Sequence, residues 1–156
     1  VTGIVLDLRN NPGGYLQSSV DIAGEFVKKD SVIVVEDRGL TKNNFKTDRT
    51  GNFQNMKVVI LVNGGSASAS EILAGALSEI NGYKLIGEKT FGKGTIQEPM
   101  QLDKGSSLHI TTARWLTPKG NWIHEKGITP DVEIKDNEET EEDEQLVEAI
   151  KIVNSK

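Results

Sequence analysis

Short apolar runs alternate with helix-spaced apolar stripes along most of this chain. Ile4 to Leu8 (IVLDL), Ser31 to Glu36 (SVIVVE), Lys57 to Val62 (KVVILV) and Tyr83 to Gly87 (YKLIG) are short and rich in branched aliphatics, the pattern of buried strands. Between them, Ser18 to Lys28 carries Val20, Ile22, Ala23, Phe26 and Val27, which predicts a helix capped by Ser18 or Ser19. A second helix is predicted over Ala69 to Ile80, where Ile72, Leu73, Ala76, Leu77 and Ile80 share one face and Asn81-Gly82 closes the last turn. Ile96 to Leu102 and Ser107 to Trp115 alternate with period two, as an antiparallel pair joined by Asp103-Lys104-Gly105 would. Asp37 to Gln54 is polar and reads as a hairpin or surface loop. Leu146 to Val153 predicts a final helix with Leu146, Ile150 and Val153 on one side.

Strand-helix-strand occurs twice and antiparallel strands follow, which argues for a mixed α/β layered fold. The 156 residues suit one domain, and no linker or repeat divides residues 1–156. The chain opens directly on a strand-like run, as a piece excised from a longer protein would, and it shows neither a signal peptide nor an apolar run long enough to span a bilayer.

Charge and cysteine content narrow the chemistry. The net charge is −5, and much of the excess lies in Asp136 to Glu144 (DNEETEEDE), read as a solvated loop. The remainder is near neutral, without the basic patch that nucleic-acid binding requires. There is no cysteine, so disulfides, thiolate catalysis and cysteine-held metals are excluded. Neither histidine, His109 or His124, stands in a zinc-protease spacing, and ordinary structural roles suit both.

Two glycine-rich turns carry candidate chemistry. Asn63-Gly64-Gly65-Ser66-Ala67-Ser68-Ala69-Ser70-Glu71 joins a predicted strand to a predicted helix, where side chains are presented at a sheet's carboxyl edge and free helix amides can hold an oxyanion. The same residues, Ser68-Ala69-Ser70-Glu71, spell a capping box, so Ser68 reads either as a nucleophile or as a helix cap. Phe91-Gly92-Lys93-Gly94-Thr95-Ile96-Gln97 offers a lysine flanked by glycines. A lysine acts as a base only when desolvated. Phe91 and Ile96 could wall it off, and Gln97 could orient the amine without adding charge. The segment lacks the G-x-x-x-x-G-K-[ST] of a phosphate-binding loop.

Together these segments resemble the carboxyl-terminal processing peptidases, or tail-specific proteases. Val5-Leu6-Asp7-Leu8-Arg9-Asn10-Asn11-Pro12-Gly13-Gly14 is similar to that family's D-L-R-x-N-P-G-G segment; Gly65 to Ile72 and Gly87 to Gln97 are similar to its nucleophile and base segments; Leu116 to Gly120 and Gly127 to Asp131 also fit. The resemblance implies a crotonase-like layered core lacking the strand and helix that precede the first motif. It implies peptide-bond hydrolysis through an acyl-enzyme, with Ser68 as nucleophile, Lys93, 25 residues further on, as base, and Gln97 orienting the amine. The oxyanion hole would use the Ala69 amide and that of Gly14, or alternatively Gly13. No cofactor or metal is implied. The expected partners are C-terminal regions of protein or peptide substrates, in an extracytoplasmic bacterial setting. Family members usually add a PDZ domain, which this chain lacks, and the resemblance implies such a domain and oligomerisation in the full-length protein. The competing expectation is a non-catalytic ligand-binding or scaffold domain on the same fold. An acyl-CoA enzyme of crotonase type is disfavoured because no basic cluster for adenine binding is found.

Overall fold

The computed structural model describes residues 1–136 and 140–155. Two four-stranded sheets organise it. The first is parallel, in the order β1 (Gly3–Asp7), β4 (Lys57–Val62), β5 (Lys84–Gly87), β8 (Val132–Glu133). The second is antiparallel, in the order β3 (Lys42–Lys46), β2 (Val32–Asp37), β7 (Ser107–Leu116), β6 (Thr95–Gln101). Among the described residues three α-helices complete the fold, α1 (Leu16–Ala23), α2 (Ala69–Asn81) and α3 (Glu144–Asn154).

Strand β4 shows how the layers arise. Its side chains alternate in direction, and both faces are covered. Val58, Ile60 and Val62 join α1, α2 and the second sheet's Ile33, Val34 and Trp115 in one core. Val59 and Leu61 pack with Ile86 against Ala149 and Val153 of α3 in another. The order is therefore α3, parallel sheet, α1 with α2, antiparallel sheet, in keeping with the mixed α/β expectation. Among the described residues, no helix is long and apolar enough to cross a membrane.

Three local readings need correction. Helix α1 starts and ends earlier than its apolar stripe suggests. Tyr15, not a serine, occupies the N-cap without a side-chain bond, and Ser19 instead donates to the Leu16 carbonyl within the helix (2.6 Å). After Ala23 the chain tightens: the Glu25 and Phe26 amides reach carbonyls three residues back, so Phe26 and Val27 are buried by a turn rather than a helix. On α3 the buried positions are Gln145, Ala149 and Val153, while Ile150 is 46% exposed. Strand β8 was not expected; two residues are too few to produce a periodicity. The polar stretch after β2 does form a hairpin, with β3. Of the acidic run, residues 137–139 lie outside the described residues, but Asp143 caps α3 by accepting the Leu146 amide (2.9 Å).

Candidate active site

Strands β1 and β4 are parallel neighbours, so the turns that follow them emerge side by side. Asparagines stitch the two together. Asn63 accepts the Asn10 amide (2.9 Å) and its own side-chain amide donates to the Asn10 side-chain oxygen (3.0 Å). The Ala67 amide donates to the Asn11 carbonyl (3.1 Å). Gly13 sits at φ +100°, and a Cβ there would lie 2.6 Å from the Ala67 carbonyl oxygen and 2.8 Å from the Ala69 nitrogen. Only glycine permits both that backbone angle and that approach.

The serines of this turn differ sharply in their surroundings. Ser66 is fully buried and its hydroxyl is spent, donating to the Leu8 carbonyl (2.8 Å) and accepting the Asn63 amide (3.0 Å). Ser70 is buried inside α2. Ser68 is partly exposed at the helix N-cap, with φ 55° and ψ −117°. Such a backbone is rare for a residue with a side chain and costs about 1–3 kcal/mol, supplied by the surrounding structure.

Glu71 supplies much of that support. Its side chain is fully buried and accepts from the Ser68 amide (2.9 Å), the Lys93 amide (2.9 Å), the Gly92 amide (2.7 Å) and the Thr90 hydroxyl (2.5 Å). Both halves of the capping box are present, the Ser68 side chain toward the Glu71 amide and the Glu71 carboxylate toward the Ser68 amide, so the cap reading of Ser68 holds locally. The carboxylate also ties the Ser68 turn to the loop after β5. Sequence reasoning saw Glu71 only as a cap partner, because its long-range donors leave no local signal.

The Lys93 loop is held from its other side too. Trp115, 1% exposed, donates its indole N–H to the Lys93 carbonyl (2.8 Å), and Trp122 donates to the Gly94 carbonyl (3.0 Å). A Cβ on Gly92 would lie 2.7 Å from the Gly127 nitrogen, and one on Gly94 2.8 Å from the His124 nitrogen. The flanking glycines thus permit the close packing their positions suggested. Phe91 does not wall the lysine; it is 66% exposed and is not among the residues that line the cleft.

A single cavity of about 340 Å³ gathers Gly14, Ser68, Ala69, Lys93 and Gln97. Its apolar wall is Leu16, Ile72, Ile96 and Trp115. A bulge helps to build it. Ile96 pairs with Ala113 but Gln97 pairs with Thr111, so β7 carries one extra residue opposite the stretch of β6, Thr95 to Gln97, that lines the cavity. Gln97 is exposed there. No hydrogen bond joins the Ser68 hydroxyl, the Lys93 amine and the Gln97 amide in this structure, and Lys93 has no ion pair among the described residues. The Gly13 amide is already committed to the Asn11 side chain (3.0 Å). Gly14, which lines the cavity, has no acceptor for its amide among the described residues, and Ala69 is the first residue of α2, whose amide has no partner within the helix. The geometry therefore favours Gly14 over Gly13 as the second donor facing the cavity.

The two histidines part company. His124 stacks on Trp122 (ring centroids 5.4 Å apart) and supports the loop behind Gly94. His109, against expectation, lines the cavity.

Behind the first turn, Arg9 bridges Asp7 (2.7 Å) and Asp143 (2.8 Å), fastening the end of β1 to the start of α3. Burial would raise the Asp7 carboxyl, but hydrogen bonds and charge from Arg9 outweigh it and hold Asp7 below the usual carboxylate range. Asp143 is lowered mainly by its hydrogen bond from Arg9, and the two carboxylates in turn raise Arg9.

Comparison with known proteins gives the family and the fold. The description of Peptidase family S41 matches residues 1–134. The chain is 46% identical over 137 residues to the carboxy-terminal processing protease CtpB of Bacillus subtilis, covering 86% of this chain and 28% of that protein. It is 47% identical over 135 residues to a probable CtpA-like serine protease of Staphylococcus saprophyticus, covering 85% and 28% respectively. Among solved structures, a photosystem II D1 C-terminal processing protease superposes with a TM-score of 0.79 at 39% identity, over 86% of this chain and 35% of that one. The chain thus spans little more than a quarter of the length of these curated relatives.

Proposed function

The chain belongs to Peptidase family S41, and from that premise we propose that it is the catalytic part of a serine endopeptidase that cleaves proteins near their C-terminal tails. The observation that carries the reading is the convergence of Ser68, Lys93, Gln97, Gly14 and Ala69 on one cavity. In the proposed reaction the Lys93 amine takes the Ser68 proton as the hydroxyl oxygen attacks the peptide carbonyl carbon. The developing oxyanion is met by the Gly14 and Ala69 amides, fixed by the turn and by the helix start. Lys93 then returns the proton to the leaving amine, and water releases the acyl group from Ser68. Gln97 orients the amine as the substrate closes the gap. The Glu71 clamp supports this assignment, since it holds the Ser68 turn and the Lys93 loop in one fixed frame through their backbone amides and leaves the Lys93 amine free of an ion pair among the described residues.

The substrates proposed are C-terminal regions of proteins, consistent with the names of the relatives in bacteria, and the setting proposed is extracytoplasmic. A PDZ domain in the full-length protein would select those tails. The test is cleavage of an unstructured protein by the full-length wild type and by its Ser68→Ala and Lys93→Ala variants, each first checked for an unchanged melting temperature. Both variants are expected to lose cleavage by at least about 10³-fold, the usual cost of removing a member of such a catalytic set. Cleavage that survives either change rejects the mechanism, and binding without cleavage by the wild type would instead favour a ligand-binding scaffold.

A further inference from the structure

His109 has no structural work to do in this fold. It is exposed, and its imidazole makes no hydrogen bond, ion pair or ring contact among the described residues. Yet it faces the cavity that holds Ser68 and Lys93. Its position follows from register. Thr111 stands opposite Gln97, and His109, opposite Pro99, is two residues further along β7 on the same face. That displaces it by about 7 Å along the strand, the length of two extended residues. A peptide lying extended along β7 advances by the same step, so, with Gln97 beside the reacting groups as in the proposed mechanism, His109 would meet a group roughly two residues from the bond that Ser68 attacks.

The chemistry of that group follows from the lining. The chain has a net charge of −5, but no Asp or Glu lines this cavity among the described residues. The nearest buried carboxylate, Glu71, is turned to the donors behind Ser68 and Lys93. Glu98, the next residue on β6, is drawn away to Arg38 (2.9 Å) and Thr112 (3.1 Å). An imidazole carries at least one N–H in either protonation state, so His109 presents a donor in a cleft that has no competing acid. We infer that His109 is a specificity-determining residue that binds a substrate carboxylate about two residues from the scissile bond, either an Asp or Glu side chain or the chain-terminal carboxylate itself. This rests on the peptidase reading above.

The test measures kcat/KM for matched peptide pairs in the full-length protein. One set places Asp or Asn at each position flanking the cleaved bond; the other ends two residues beyond the bond as a free acid or an amide. Wild type is expected to favour the acid member of one set by roughly fivefold, the upper end for a solvent-exposed charged contact. The set that shows the preference tells a side chain from a chain terminus. His109→Ala is expected to reduce the acid-to-amide ratio to about 1 through KM, His109→Gln to retain part of it, and His109→Glu to reverse it in favour of Lys-containing peptides. Leu108→Ala, on the opposite face of β7, should leave the ratio as in wild type. An acid-to-amide ratio near 1 in wild type, or one unchanged in His109→Ala, overturns the inference while leaving the peptidase reading intact. Cleavage of these peptides by Ser68→Ala would instead show that the peptidase reading is at fault.

Discussion

Replacing Glu71 distinguishes a helix cap from a clamp. If the residue only completed the first turn of α2, Glu71→Ala would cost about 1 kcal/mol, the usual value for a lost cap. The structure predicts more. The substitution strips the acceptor from the Ser68, Gly92 and Lys93 amides and from the Thr90 hydroxyl, all around a side chain with 0% exposure. Each orphaned buried donor costs about 1 kcal/mol at the least. The expected loss is therefore about 3–4 kcal/mol, a large fraction of the roughly 5–15 kcal/mol that holds a domain together. For a chain of this size it corresponds to a melting temperature lower by roughly 6–16 °C. Glu71→Gln keeps one carbonyl acceptor but turns an NH₂ toward donors, so it should fall between. The assay is thermal unfolding by circular dichroism, paired with amide hydrogen exchange at Gly92 and Lys93. Exchange at those amides should rise well before global unfolding in Glu71→Gln. A Glu71→Ala protein that melts within about 3 °C of wild type, with those amides still protected, would refute the clamp.

Gly13→Ala should abolish peptide cleavage or unfold the first turn, because φ +100° and a 2.6 Å approach to the Ala67 carbonyl oxygen leave no room for a methyl group; a variant with wild-type melting and activity would show that the turn is not needed in this form. The Arg9 cluster predicts acid sensitivity of defined sign. Asp7 and Asp143 are held below their ordinary values in the folded protein, so their contribution is complete above about pH 4 and is lost as the pH falls through the lowered values. Arg9→Ala should therefore lower the melting temperature at neutral pH and flatten its decline below about pH 4; an equally steep acid decline in the variant would contradict the assignment.

Much of the layered core was legible because buried strands and amphipathic helices write their periods locally. Val58 to Val62 reads as a strand whatever surrounds it, and Ile72, Leu73, Ala76 and Leu77 are buried as their spacing demands. What escaped depends on distant partners. The end of α1 is set by Gly24 and the turn that follows, not by the apolar residues beyond it. Ile150 looked like a core residue, but α3 turns Ala149 and Val153 inward because they meet Val59 and Leu61. In the candidate site, the motifs located Ser68, Lys93 and Gln97, whereas the roles of Glu71 and Trp115 are invisible locally. Each acts on a segment about twenty residues away in sequence. The bulge opposite Gln97 and the cleft position of His109 likewise follow from pairing register, which alternation alone does not give.

In the proposed mechanism Ser68 forms a bond to the substrate and Lys93 enables it. Peptide hydrolysis by the full-length protein can be quenched in acid during turnover and the digested enzyme examined by mass spectrometry. An acyl adduct is predicted on the peptide containing Ser68 and on no other, present in wild type and missing from Lys93→Ala. Turnover with no adduct at Ser68, with the adduct on a different residue, or with an undiminished adduct in Lys93→Ala would contradict it.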